Sequence, residues 1–172
     1  LYNVVPLLNL PPDLCLELAD IPEVVAVKQS NDNFHELADL LRLARGRLTV
    51  LTAIEDLLFP SLLLGAPGMM VAIAAVLPEL CVELYRAVER GDLELARQLH
   101  ERILPVVRAV LVDENFPAPL KTALALRGRP EDRPAARSSP RRRTRKRRSA
   151  AACRKPAFSR GRLVSSRPPD RI

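Results

Sequence analysis

Lys28 closes the run Val24-Val25-Ala26-Val27-Lys28, which puts an amine at the end of a segment built for burial. An amine attacks a carbonyl only when neutral, and a lysine in water, with a pKa of about 10.4, is protonated. Apolar surroundings disfavour the charged form. A lysine at such a place can therefore capture a ketone as an imine, which then serves as an electron sink. By position alone the commoner arrangement is a lysine that snorkels out of the strand toward solvent. The other chemistry-bearing side chains point elsewhere. His35 and His100 are far apart in sequence, lie among polar residues and have no ligand cluster, so surface or capping roles are expected rather than metal binding. Cys15, Cys81 and Cys153 are odd in number and lack C-x-x-C spacing; the first two fall in apolar helical patterns and read as small hydrophobes in a reducing, cytosolic setting. Glu55-Asp56 follows a strand end, where a carboxylate pair favoured by the helix dipole is the simplest account.

Alternating elements must position that lysine. An opening strand, LYNVV, stops at Pro6; a helix follows over 12–19, with proline in its first turn and Leu14 and Leu18 four apart. IPEVVAVK is a strand with apolar residues on both faces, as a parallel strand covered by helices has. Asn31 or Asp32 is expected to cap a helix to about 44, with Phe34, Leu37, Leu40 and Leu41 inward. LTVLT (48–52) is a second buried strand, a short helix ends near Gly65, and MMVAIAA (69–75) is a third. Helices from Pro78 to about 90, from Asp92 to about 111 and over 119–126 complete the body. Strands and helices alternating in this way imply parallel strands joined by crossovers, in a doubly wound sheet or a (β/α) barrel. The absence of a Gly-x-Gly-x-x-Gly or Walker-type loop argues against nucleotide binding. In barrels, chemistry sits at the C-terminal ends of the strands, where Lys28 lies.

Charge separates body from tail. Residues 1–126 hold 10 Lys+Arg against 17 Asp+Glu; residues 127–172 hold 17 against 3. The net charge of +7 thus belongs to the tail, which includes RRRTRKRRS at 141–149. With many Pro, Ser, Ala and Arg and few large apolar residues, the tail is expected to be disordered. It reads either as a nucleic-acid-binding extension or, preferably, as the product of a frame error in a GC-rich gene. Residues 57–78 are uncharged, but Pro60, Gly65, Pro67, Gly68 and Pro78 divide them into pieces too short to span a bilayer. A cytoplasmic protein with no membrane partner is expected.

Tyr2-Asn3, a nearby proline, and V-x-V-K-Q-S some twenty-six positions later resemble the pyruvate-dependent class I aldolase family, which includes dihydrodipicolinate synthase and N-acetylneuraminate lyase. LTVLTAIEDLLFPSLLLGAPGMMVAIAAVLPEL is similar to that family's seventh and eighth strands with their helices, and GDLELARQLHERILPVVRAVL and NFPAPLKTALALRG are similar to its C-terminal helices. The resemblance implies the second half of a (β/α)8 TIM barrel plus C-terminal helices over residues 1–128, starting at the fifth strand, followed by the basic tail over 129–172. It implies a Schiff-base lyase acting on pyruvate or a related 2-oxo acid and an aldehyde, without metal or cofactor and, with the barrel complete, in a homo-oligomer; the alternatives are an inactive fragment of such an enzyme or a non-catalytic barrel remnant whose basic tail binds nucleic acid. Lys28 would form the imine and Tyr2 would relay protons. Met70 and Ala53 would lie against the substrate, Met70 through its main-chain carbonyl. The likeness has departures. YNVVPLLNLPPD displaces the proline and puts Leu7 and Leu8 where a substrate carboxylate needs a donor. Ala53 replaces a glycine, and Ala75 an asparagine. Because a complete barrel takes about 250 residues, a half barrel is expected to fold poorly alone or to need a partner.

Overall fold

The computed structural model describes residues 1–4, 7–111 and 117–129; the basic run and Cys153 lie outside them. Its centre is a three-stranded parallel sheet in the order β1 (Tyr2–Asn3), β2 (Ala26–Gln29), β3 (Thr49–Thr52). α1 (Pro12–Leu18) connects β1 to β2, and α2 (Phe34–Leu43) connects β2 to β3. The strands are in register as Tyr2–Lys28–Leu51 and, one residue on, Asn3–Gln29–Thr52.

The chain is α/β with parallel strands, as the alternation implies. The expectation that helices cover both strand faces is not met. Burial alternates along the strands: Val27, Gln29, Val50 and Thr52 are buried, whereas Ala26, Lys28, Thr49 and Leu51 are not. Only the first face meets α1 and α2, and it closes a core of Leu10, Cys15, Val27, Leu37, Leu40, Leu48 and Val50. Among the described residues the second face is open. Because strand side chains alternate with period two, this face carries Tyr2, Lys28 and Leu51 as neighbours.

After β3 come a single 3-10 turn (Glu55–Leu57) and α3 (Leu58–Leu63). The strand expected over 69–75 does not form. One bridge joins Thr52 to Met69, after which the chain turns into α4 (Ile73–Val76). The segment is uncharged and unbroken, so its pattern fits a strand or a buried helix equally well; Ala72, Ala74 and Ala75 favour the helix. α5 (Pro78–Glu89) and α6 (Leu93–Val110) then pair through Gly91, whose φ of 73° suits glycine. Asp92 caps α6, its side chain accepting from Leu95 N. α7 (Pro117–Leu126) begins two residues earlier than expected. These helices build a second core around Leu58, Ile73, Leu84, Ile103 and Val107.

At the start of α2, Asn33 is the cap, not Asn31 or Asp32: its Oδ1 accepts from the main-chain N of His35 and Glu36. Asn31 is engaged differently, donating to the Glu36 carboxylate and accepting from Asn33 N. No helix among the described residues is long and apolar enough to cross a membrane.

Candidate active site

Lys28 is the second-last residue of β2, between Tyr2 and Leu51 on the open face. Its stem is half-buried, and its Nζ lies 4.3 Å from the centroid of the Tyr2 ring. An aromatic face attracts a cation at this distance, an effect of about 0.5–1 kcal/mol at exposed sites. Tyr2, 47% exposed, therefore meets the amine with its ring.

The opposite face of the same strand ends is polar, buried and satisfied. Asn3 Nδ2 donates to Leu10 O and to Gln29 Oε1, both at 2.9 Å, and Asn3 Oδ1 accepts from Leu10 N. These bonds fasten the β1–α1 connection back on the sheet end beneath Tyr2 and Lys28. Sequence reasoning gave Asn3 and Gln29 no role of their own. The signal was an amide side chain directly after Tyr2 and another directly after Lys28.

Ala53 is buried, and its N donates to Gln29 O at 3.0 Å, which extends the ladder past β3 toward Lys28's neighbour. Met70 is 50% exposed and follows the Met69 bridge, so alternation places it on the face of Lys28. Its N donates to Thr52 O at 2.9 Å. The strand ends thus bring Tyr2, Lys28 and Met70 to one face, with Ala53 in the main-chain layer. Leu7 is 85% exposed and Leu8 is also exposed, and neither side chain can donate to a carboxylate. Glu55, read from sequence as part of a helix-start charge pair, has a longer-range partner: its Oε1 accepts from Ala72 N at 2.9 Å.

The remaining reactive types lie away from this face. His35 is exposed, as expected. His100 is not: it is buried on α6, with Nε2 3.2 Å from Asp56 O, and desolvation lowers its pKa from 6.5. The sequence placed it among polar residues, but α6 turns it toward the 3-10 turn and Phe59. Cys15 and Cys81 are buried free thiols; burial raises both pKa values, that of Cys81 to about 11, and so disfavours the nucleophilic thiolate. Among the described residues no group of three or more His, Cys, Asp or Glu could hold a metal ion. A cleft of about 330 Å³ beside Ile21, Val25, Arg47 and Thr49 lies at the N-terminal ends of β2 and β3, away from Lys28.

Parallel strands alternating with helices, with a lysine on the uncovered side of the strand ends, define the class: an α/β protein with a lysine at the C-terminal edge of its parallel sheet. Comparison with known proteins makes the assignment particular. The model of the dihydrodipicolinate synthetase family matches residues 1–151, and the chain belongs to that family. It is 34% identical over 131 residues to the 4-hydroxy-tetrahydrodipicolinate synthase of Thermodesulfovibrio yellowstonii, covering 75% of this chain and 45% of that protein. To the synthase of Methanocaldococcus jannaschii it is 35% identical over 133 residues, covering 76% and 45%. Among solved structures it resembles a prophage protein of the dihydrodipicolinic acid synthase family from E. coli in complex with pyruvate (TM-score 0.79, 29% identity, 87% of this chain and 53% of that one). It also resembles the synthase of Thermotoga maritima (TM-score 0.80, 27% identity, 88% and 53%). N-acetylneuraminate lyase from Fusobacterium nucleatum, at 12% identity and TM-score 0.76 over 88% of this chain and 52% of that one, shares the fold. The chain spans about half the length of the curated relatives it matches.

Proposed function

We propose that this chain supplies the imine-forming part of a 4-hydroxy-tetrahydrodipicolinate synthase-like lyase site in a (β/α)8 barrel. The observation that carries the reading is the Lys28 amine on the open face of the strand ends, over the ring of its in-register neighbour Tyr2. In this reading the neutral amine of Lys28 adds to the keto carbon of pyruvate or a related 2-oxo acid, and the carbinolamine loses water to give the imine. Loss of a proton from the adjacent carbon yields an enamine, whose carbon bonds to an aldehyde. Hydrolysis then releases the product and regenerates the amine. Tyr2, beside Nζ, is the proton carrier for these steps once its hydroxyl turns to the reacting atoms. Met70 and the main chain around Ala53 wall the substrate on the β3 side.

Leu7 and Leu8 offer the substrate carboxylate no side-chain donor, so in this reading it is bound by groups other than these two side chains. The relatives' length beyond the match supplies room for such groups and for the rest of the barrel. A self-associating enzyme without cofactor follows from the same reading.

Pyruvate followed by borohydride, with peptide mapping, tests it. The reduced pyruvyl adduct is expected on Lys28 and not on Lys121, which stands on α7. Equal labelling of the two lysines, or none on Lys28, removes the basis for the assignment.

A further inference from the structure

We propose that Glu55 is a positioning residue: its carboxylate holds the turn of residues 68–72 to the end of β3 and so sets the Met70 main chain beside the row that carries Lys28. The chemical consequence rests on the imine reading; the geometry does not.

The segment leaves the sheet almost as soon as it joins it. Thr52 N donates to Gly68 O at 3.1 Å, and Met70 N donates to Thr52 O at 2.9 Å. Among the described residues no further main-chain bond ties this segment to β3. The next polar anchor is a side chain, Glu55 Oε1, which accepts from Ala72 N at 2.9 Å across 17 positions of chain. Ala72 is the cap of α4; the helix's own first bonds, Ala74 N to Val71 O and Ala75 N to Ala72 O, leave the Ala72 N–H to Glu55. A carboxylate acceptor makes the bond charge-assisted, and half-burial limits competition from water.

The other side of the turn is equally constrained. A Cβ at Gly68 would lie 3.2 Å from Leu51 Cδ2, and Leu51 is the direct neighbour of Lys28. The turn thus lies between Leu51 and Glu55, with Met70 in the middle, while Met69, Val71 and Ile73 on either side of Met70 pack into the second core. A carboxylate serving only its own helix start would not reach Ala72.

Glu55→Ala removes the acceptor, while Glu55→Gln keeps an amide oxygen in its place. Both are compared with the unsubstituted 172-residue chain by amide hydrogen exchange, thermal melting and the rate of pyruvate-dependent borohydride trapping at Lys28. In Glu55→Ala, exchange at Ala72 is expected to quicken by about tenfold or more, as for loss of one hydrogen bond to a charged group. Met70 exchange should also quicken, and trapping should slow. In Glu55→Gln all three should return toward the original values, and exchange in α5 and α6 should be unaffected in both variants. Unchanged exchange at Ala72 in Glu55→Ala overturns the proposal whatever trapping does. Faster exchange with unchanged trapping overturns the positioning role, as does slow trapping in Glu55→Gln with Ala72 still protected. If the unsubstituted chain does not trap pyruvate, the imine reading fails on its own, and Met70 exchange decides whether Glu55 holds the turn.

Discussion

Tyr2 has two separable parts, and the structure assigns a contact to only one of them. The ring lies against Nζ of Lys28, whereas the proposed proton relay needs the hydroxyl. Tyr2→Phe keeps the ring and removes the hydroxyl, so borohydride trapping at Lys28 should persist while turnover drops about 10²–10⁴-fold, the usual worth of a positioned acid–base group. Tyr2→Leu should weaken both. A Tyr2→Phe enzyme with full turnover would eliminate the relay. Lys28 stood out in the sequence because it ends an apolar run at a strand terminus, whereas Tyr2 was singled out only by the resemblance that Tyr2-Asn3 and V-x-V-K-Q-S carry. The roles of Asn3, Gln29 and Glu55 were not legible there, since each acts through a partner 7 to 26 positions away. Such partners are set by strand register and turn geometry, which local patterns do not encode.

The elements followed local chemistry where their ends are marked and departed from it where they are not. α2 shows the rule: Asn33 caps it through two main-chain N–H groups, so Asn33→Ala should cost about 1 kcal/mol in a denaturant titration. An unchanged midpoint would mean Asn31 or Asp32 takes over the cap. The segment 69–75 shows the exception, because an uncharged run of small and aliphatic residues has no period to separate strand from helix. α6 shows a different failure, since its polar neighbours in sequence hid the burial of His100. Desolvation lowers the His100 pKa, opposed by the Asp56 main-chain bond and by the nearby Asp56 and Glu101 charges; Arg108, on the same helix, pairs with Asp56 at 2.8 Å. His100 Nδ1, Ser61 Oγ and Asp56 Oδ1 are also buried without a partner among the described residues. With the folded pKa below the unfolded value of 6.5, the unfolded chain binds the proton more readily. The contribution is therefore complete above about pH 6.5 and is lost as pH falls toward the folded pKa. Urea midpoints should decline on acidification from about pH 7.5 to about pH 5, and His100→Gln should flatten that slope. A slope identical in the variant would place the acid sensitivity elsewhere.

For the whole molecule, the decisive feature is a sheet with one finished face. α1 and α2 bury one side of the strands, while Tyr2, Leu51 and Met70 stand on or beside the other, with Tyr2 and Met70 about half exposed. β1 also presents an outer edge whose main chain pairs with no other named strand. Apolar side chains next to an unpaired parallel edge favour addition of further strands or of another molecule. The 172-residue chain should therefore sediment as a concentration-dependent mixture rather than as one monomeric species. Met70→Lys adds a charge to the open face at an exposed position, outside both cores. It should shift the distribution toward monomer with a stability change within about 0.5 kcal/mol, as expected of a surface substitution. The stability readout separates this cause from unfolding, because an aggregate fed by unfolded chains would track the melting temperature and ignore Met70. The charge on the body matters as well. Residues 1–126 carry excess acid and residues 127–172 excess base, so attraction between the body of one copy and the basic segment of another would also associate the chains. Salt distinguishes the two forces, since about 0.5 M would screen the ionic attraction while leaving apolar contact intact. Association that persists at high salt and yields to Met70→Lys belongs to the open face. A single monomer at every concentration would show that the strand ends need no covering, and the imine site would then have to work as an open surface.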